Sequence, residues 1–145
     1  MEYKITSKSE MDTIELAQNI ESEKFPNMII CLDGELGSGK TVFTKGIANA
    51  LGINEPITSP TFNIIKEYNG EVPLYHMDVY RLEGSEDFEN LGTEDMLYGD
   101  GVCIIEWSEK IMDSLPKETI IINIQPQDDG SRKIQISNWN NDPIN

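Results

Sequence analysis

The chain has 145 residues, enough for one domain with a sizeable core. It carries 26 acidic against 11 basic side chains, a formal charge of −15, and only two arginines, Arg81 and Arg132. A solo grip on a phosphate backbone needs clustered Lys and Arg, so DNA and anionic membranes are disfavoured as direct partners; a basic protein surface suits the field, although solubility alone explains much of the acidity.

Tyr3-Lys4-Ile5-Thr6 reads as a short edge strand. The first five residues contain no apolar h-region, so no secretory signal is expected. Ser9-Glu10-Met11-Asp12 matches a capping box, and Ile14, Ala17 and Ile20 follow at helical spacing, giving a helix over about 9–22. Met28-Ile29-Ile30-Cys31-Leu32 is a continuous apolar run suited to a strand buried on both faces. The stretch from Lys40 to Leu51 places Val42 or Phe43, Ile47, Ala50 and Leu51 at helical spacing, and Gly52 is a natural stop.

A loop with two prolines and three hydroxyls follows, Pro56 to Thr61. Phe62 to Tyr68 reads as a strand, Asn69-Gly70 as a tight hairpin turn, and Val72 to Tyr80 as the antiparallel return. Ser85 to Leu91 reads as a short helix ended by Gly92, and Thr93 to Tyr98 as a further turn of helix. Val102-Cys103-Ile104-Ile105 is a second buried strand ending in Glu106, with helical residues to about Ser114. Ile120–Ile124 and Lys133–Ile136 read as a closing hairpin over Asp128-Asp129-Gly130. The Asn/Asp/Pro-rich end, 138–145, is expected to be a flexible tail, so the domain is expected to span 1–137. Cys31 and Cys103 sit in separate apolar runs and read as small buried hydrophobes, which fits a cytoplasmic chain. No apolar run approaches membrane-spanning length.

The expected fold is α/β: a single domain of the P-loop NTPase type, with a mixed, parallel plus antiparallel sheet flanked by helices. Between the first apolar strand and its helix lies Gly34-Glu35-Leu36-Gly37-Ser38-Gly39-Lys40-Thr41, a complete G-x-x-x-x-G-K-[ST] loop. Gly34, Gly37 and Gly39 let the backbone turn tightly and approach an anion. The N–H groups of the loop, through Ser38, form one concavity for a phosphate, and the helix adds its positive end. Lys40 reaches the terminal phosphates and the Thr41 hydroxyl ligates Mg²⁺. A ligand-free glycine turn is the bland alternative.

Glu106 ends an apolar strand beside this loop, where an acid holds Mg²⁺ directly or through water, although Asp is commoner there; a solvated strand-end acid is the alternative. For Trp107, stacking and core packing are equally credible. His76, Asp78 and Tyr80 alternate and share one strand face, which suggests a site. Asp78 could position or deprotonate an attacking water, or bind Mg²⁺ through water. Arg81 could neutralise phosphate charge, or form a surface ion pair. Thr61, in Ser59-Pro60-Thr61-Phe62, could sense the γ-phosphate as switch loops do, or serve turn chemistry.

With these residues assembled, the chain resembles the TsaE family (older name YjeE), small bacterial P-loop ATPases needed to make threonylcarbamoyladenosine in tRNA. The phosphate loop, Ser59-Pro60-Thr61-Phe62, Tyr75-His76-Met77-Asp78-Val79-Tyr80-Arg81-Leu82, Leu91-Gly92 and Ile105-Glu106-Trp107 carry the resemblance, over roughly residues 9 to 137. The resemblance implies ATP and Mg²⁺, with Thr41 and Glu106 at the metal, Asp78 near the hydrolytic site and Thr61 in a switch-like loop. It further suggests that Glu10 and Glu109 lie near the nucleotide and that Arg132 reaches it from the last hairpin. Family members usually carry a second Thr where this chain has Val42, which puts only a side-chain role there in doubt, since a backbone N–H still serves. The implied partner is the TsaD–TsaB pair, reset by ATP hydrolysis, with tRNA met only through that pair.

Two other classes compete. A small-molecule kinase would use the same loop but commonly needs several arginines. A nucleotide-gated binding module with little turnover would need no catalytic group. A GTPase is less well matched, since no Asp-x-x-Gly or Asn-Lys-x-Asp pattern is found.

Overall fold

The computed structural model describes residues 2–25, 27–35, 38–58 and 65–139. In chain order these form β1 (Tyr3–Ser7), α1 (Glu10–Ser22), β2 (Met28–Gly34), α2 (Lys40–Ala50), β3 (Ile65–Asn69) and β4 (Pro73–Asp78). The short helices α3 (Ser85–Asn90) and α4 (Glu94–Leu97), β5 (Val102–Glu106), two 3-10 turns (Ser108–Lys110 and Met112–Ser114), β6 (Ile120–Pro126) and β7 (Arg132–Ser137) complete the fold.

All seven strands join one sheet in the order β1-β7-β6-β2-β5-β4-β3. β2 lies parallel to both β5 and β6, and β4 lies parallel to β5. The β3–β4, β6–β7 and β1–β7 pairs are antiparallel. The sheet is therefore mixed, and β2 and β5, whose apolar runs 28–32 and 102–105 are buried on both faces, lie in its interior.

Strand alternation divides the core in two. Met28, Ile30 and Leu32 of β2, Leu74 of β4 and Ile104 of β5 face a layer built from α1 and α2, through Leu16, Ala17, Ile20, Phe43, Ile47 and Leu51. Ile29, Met77, Cys103 and Ile105 face the opposite way, against Phe88, Leu97 and Ile111. This pleat decides the site: His76, Asp78 and Glu106 share parity with Leu74 and Ile104 and so sit on the α2 side. Both thiols are buried, and burial pushes Cys31 up to about 11 and Cys103 up to about 12, so both behave as the inert core groups expected of them.

α1 starts where the capping pattern puts it. The Asp12 N–H donates to Ser9 Oγ at 3.1 Å, while the Asp12 carboxylate accepts from the Lys8 N–H at 2.9 Å, one residue earlier than in an ideal box. The Asn69-Gly70 turn differs from expectation. Asn69 pairs with Pro73, leaving a three-residue connection, and Gly70 does not adopt positive φ. The glycine is needed for space: a Cβ there would lie 2.6 Å from the Leu51 carbonyl oxygen, and the next N–H, of Glu71, donates to that oxygen at 2.8 Å. β4 also stops earlier than expected, at Asp78, so Tyr80 lies beyond the strand and is 60% exposed instead of sharing the face of His76 and Asp78. The expected helix up to Ser114 is two 3-10 turns.

The expected tail boundary also moves. Trp139 is 1% exposed and belongs to the larger core, and Asn138 Nδ2 donates to the carbonyls of Lys117 and Thr119. The flanking Asn, Asp and Pro residues hide one large apolar side chain from a composition-based reading. Residues 140–145 lie outside the described residues.

Candidate functional site

The parallel pairing aligns the carboxyl ends of β2, β5 and β4 on one edge of the molecule, with Leu32 and Asp78 each opposite Glu106. Sites in open α/β sheets form there. The glycine-rich loop leaves β2 at Gly34, whose φ is +152°. A Cβ on Gly34 would lie 2.5 Å from the Ile124 carbonyl oxygen and 2.6 Å from Ser38 Oγ, so only glycine fits. Gly39 precedes α2 with φ +108°, and Lys40 is the first helical residue.

The two long helices start differently. α1 has a serine cap and Glu10 and Asp12 in its first turn. α2 has no side-chain cap bond and no acid in its first turn. Its leading N–H groups thus lack the usual side-chain acceptor, and a cation on Lys40 opposes the helix dipole, costing a few tenths of a kcal/mol or more. Both features disfavour the bare helix and favour an anion bound to it.

Lys40 is 8% exposed, and its Nζ lies 3.4 Å from Glu106 Oε1 and 4.8 Å from the centroid of the Trp107 ring. Glu106 is 6% exposed and accepts from His76 Nε2 at 2.6 Å through its other oxygen. Burial by itself would raise the Glu106 pKa, but the His76 hydrogen bond and charge, with Lys40 adding to them, hold the carboxyl below its ordinary value. Trp107 adopts a left-handed backbone (φ +60°, ψ +41°), a strained choice for a bulky residue, of order 1–3 kcal/mol. Its ring meets Tyr80 edge-on at 5.0 Å as well as the Lys40 ammonium. Stacking on a cation therefore describes Trp107 better than core packing does.

A cleft of about 550 Å³ opens over these groups, lined by Gly39, Lys40, Thr41, Val42, Asp78, Glu106, Trp107 and Arg132 and by Ser7, Ser9, Glu10 and Thr13 from the β1–α1 side. Nine of the residues singled out in the sequence thus meet around one space: Glu10, Gly39, Lys40, Thr41, Val42, Asp78, Glu106, Trp107 and Arg132. Asp78 accepts from the Tyr80 N–H at 3.0 Å, which fixes its carboxylate at the cleft wall. Arg132, at the start of β7, donates from Nε to the Ser38 carbonyl at 2.8 Å and so holds the loop from the last hairpin. Ser38 is fully buried, and its Oγ is one of the few buried polar atoms without a hydrogen-bond partner among the described residues.

Glu109 is placed differently. It lines an adjoining cavity of about 340 Å³ with Asp33, Gly34, Glu35, Asn123 and Gln125, and among the described residues only Lys40 and Trp107 face both spaces. Asp33 has no motif to mark it in the sequence; burial, then the Glu109 charge, raises its pKa against the opposing pull of Lys40. Arg81 is exposed and does not line the cleft. Gly37 and Thr61 lie outside the described residues.

The donor set suits a phosphate-bound magnesium better than a self-contained metal site. Among the described residues no group of three or more His, Cys, Asp and Glu converges as a metal cage. Of the oxygen-bearing side chains on the cleft wall, Thr41 at the start of α2 and Glu106 at the end of β5 could each supply one oxygen to an ion that takes its remaining ligands from phosphate and water. No helix among the described residues is long and apolar enough to cross a membrane.

The model of the family described as "Threonylcarbamoyl adenosine biosynthesis protein TsaE" matches residues 7–134. The tRNA threonylcarbamoyladenosine biosynthesis protein TsaE of Treponema pallidum is 48% identical over 109 residues, covering 75% of this chain and 81% of that protein. Its counterpart from Bacillus subtilis is 50% identical over 110 residues, 75% of this chain and 68% of that protein. The crystal structure of Bacillus subtilis YdiB superposes with a TM-score of 0.81 at 39% identity, covering 94% of this chain and 84% of that one. With the motif match spanning nearly the whole domain, the chain belongs to the TsaE family.

Proposed function

We propose that this chain is a magnesium-dependent ATPase of tRNA threonylcarbamoyladenosine biosynthesis that acts on, and resets, the TsaD–TsaB pair. The observation that supports it most is the convergence of a buried lysine, a helix N-terminus without a side-chain cap and a paired strand-end glutamate on one cleft. In this reading the main-chain N–H groups from Ser38 to Val42 bind the phosphates of ATP, and Lys40 anchors the terminal ones. Thr41 and Glu106 hold Mg²⁺, which neutralises charge on the β- and γ-oxygens when bound. Asp78, its orientation fixed by the Tyr80 N–H, positions the attacking water. Glu10 and Arg132 close the cleft on its β1 and β7 sides, Glu109 acts from the adjoining cavity, and Thr61 serves as the switch threonine. The charge of −15 suits a basic protein surface and makes direct tRNA capture unfavourable, so tRNA is met through the pair.

The test is phosphate release from ATP, with and without purified TsaD–TsaB, by the native chain and by Lys40→Ala. The reading expects slow release alone, faster release with the pair, and near-complete loss in the variant. Phosphate appearing on a metabolite would instead favour the kinase. No release under any condition would leave a nucleotide-gated binding module.

A further inference from the structure

Glu106 owes its position to a residue that does not line the cleft. His76 is 0% exposed, on the strand beside Glu106, and its face neighbours Leu74 and Ile104 are aliphatic. An aliphatic side chain would fill that space without the cost of burying an imidazole whose hydrogen-bonding partners are incomplete. The cost is real here: Nδ1 has no hydrogen-bond partner among the described residues. What the imidazole gains is a single bond, Nε2–H to Glu106 Oε2 at 2.6 Å. Since Nε2 donates, Oε2 is turned toward His76. Oε1 is left beside Lys40 at 3.4 Å, and both residues line the cleft.

We infer that His76 is a positioning residue for the metal-binding carboxylate: its Nε2–H fixes one oxygen of Glu106 so that the other is presented to magnesium-bound nucleotide. The inference rests on the proposed nucleotide reading and adds a residue to it. Groups that orient a metal ligand in this way are worth about 10–100-fold in metal affinity. Glutamine can place an amide N–H where His76 Nε2 lies; asparagine is one methylene too short, although equally polar.

The experiment is a magnesium titration of fluorescent ATP-analogue binding, with the same binding measured in EDTA as reference. The native chain is compared with His76→Gln, His76→Asn and His76→Leu, each checked for fold by circular dichroism. His76→Asn and His76→Leu are expected to raise the magnesium midpoint at least about tenfold with EDTA binding unchanged, while His76→Gln stays within about threefold of native. If His76→Leu does not fold, the Asn and Gln pair carries the comparison. A native midpoint in His76→Asn, or equal impairment of the Asn and Gln variants, overturns the inference, as does a parallel loss of binding in EDTA. A native chain that does not bind the analogue overturns the nucleotide reading itself, and one that binds it without any response to magnesium overturns the metal role of Glu106; either result removes the inference.

Discussion

Truncating Glu106 probes the buried charge cluster most sharply. Glu106→Ala leaves the Lys40 ammonium, 8% exposed, and the fully buried His76 without their shared acceptor. Removing one partner of a buried pair costs about 3–5 kcal/mol. The cleft lets water reach Lys40 once the carboxylate is gone, so the low end, about 3 kcal/mol, is expected here. In a domain of this size each kcal/mol moves the thermal midpoint by about 2–4 °C, so melting should fall by about 6–12 °C. Nucleotide binding should split from stability. Binding that depends on magnesium should weaken, while binding in EDTA should persist or tighten, because Lys40 is released toward the phosphates. Thermal denaturation and nucleotide titrations with and without magnesium read both effects. The acid limb adds a check: a depressed carboxyl stabilises the fold above its ordinary value of 4.5 and loses that contribution as pH falls through the lower folded value, so Glu106→Gln should flatten this segment of the stability–pH curve. A melting shift under about 2 °C for Glu106→Ala, set against the several degrees expected, or loss of binding in EDTA, would refute the reasoning.

Three further outcomes follow from the geometry. Asp78→Asn keeps the acceptor for the Tyr80 N–H but loses the charge, so turnover should drop about 10²-fold with ATP affinity within a few-fold; unchanged turnover excludes a catalytic carboxylate there. Gly34→Ala drives a Cβ to 2.5 Å from a backbone oxygen, so the loop must shift, and ATP affinity should fall at least about tenfold in equilibrium titration; native affinity would show that the loop tolerates a side chain. Trp139→Ala empties a core site 1% exposed and should cost about 3–5 kcal/mol in denaturant unfolding; a cost below about 1 kcal/mol would restore the view of residue 139 as tail.

Local chemistry was legible wherever a residue's job depends on its immediate neighbours. The glycine-rich turn between β2 and α2, the apolar runs of β2 and β5 and the Ser9 cap were visible because glycine spacing, unbroken apolar runs and side-chain-to-backbone capping act within a few residues. Gly70 misled because its function is steric clearance from the end of α2, more than fifteen residues earlier in the chain, and not turn conformation. Tyr80 misled because alternation gives a common face only while the strand lasts, and β4 ends at Asp78. The His76–Glu106 bond could not be read at all. Period-2 alternation says which face a residue takes, but parallel pairing of β4 with β5 across 30 residues of sequence decides which residues meet there. Asp33 was likewise silent, because its environment is made by Glu109 and Lys40 from separate elements. Trp107 was undecided in the sequence and resolved only by the strained backbone that lays its ring on Lys40.

The most direct test is a crystal structure of the chain with magnesium and a non-hydrolysable ATP analogue. The terminal phosphates are expected against the main chain of residues 34–41, within hydrogen-bond distance of Lys40 Nζ, at the start of α2. An analogue lodged elsewhere, or this loop left bare at saturating nucleotide, would contradict the proposed ATPase.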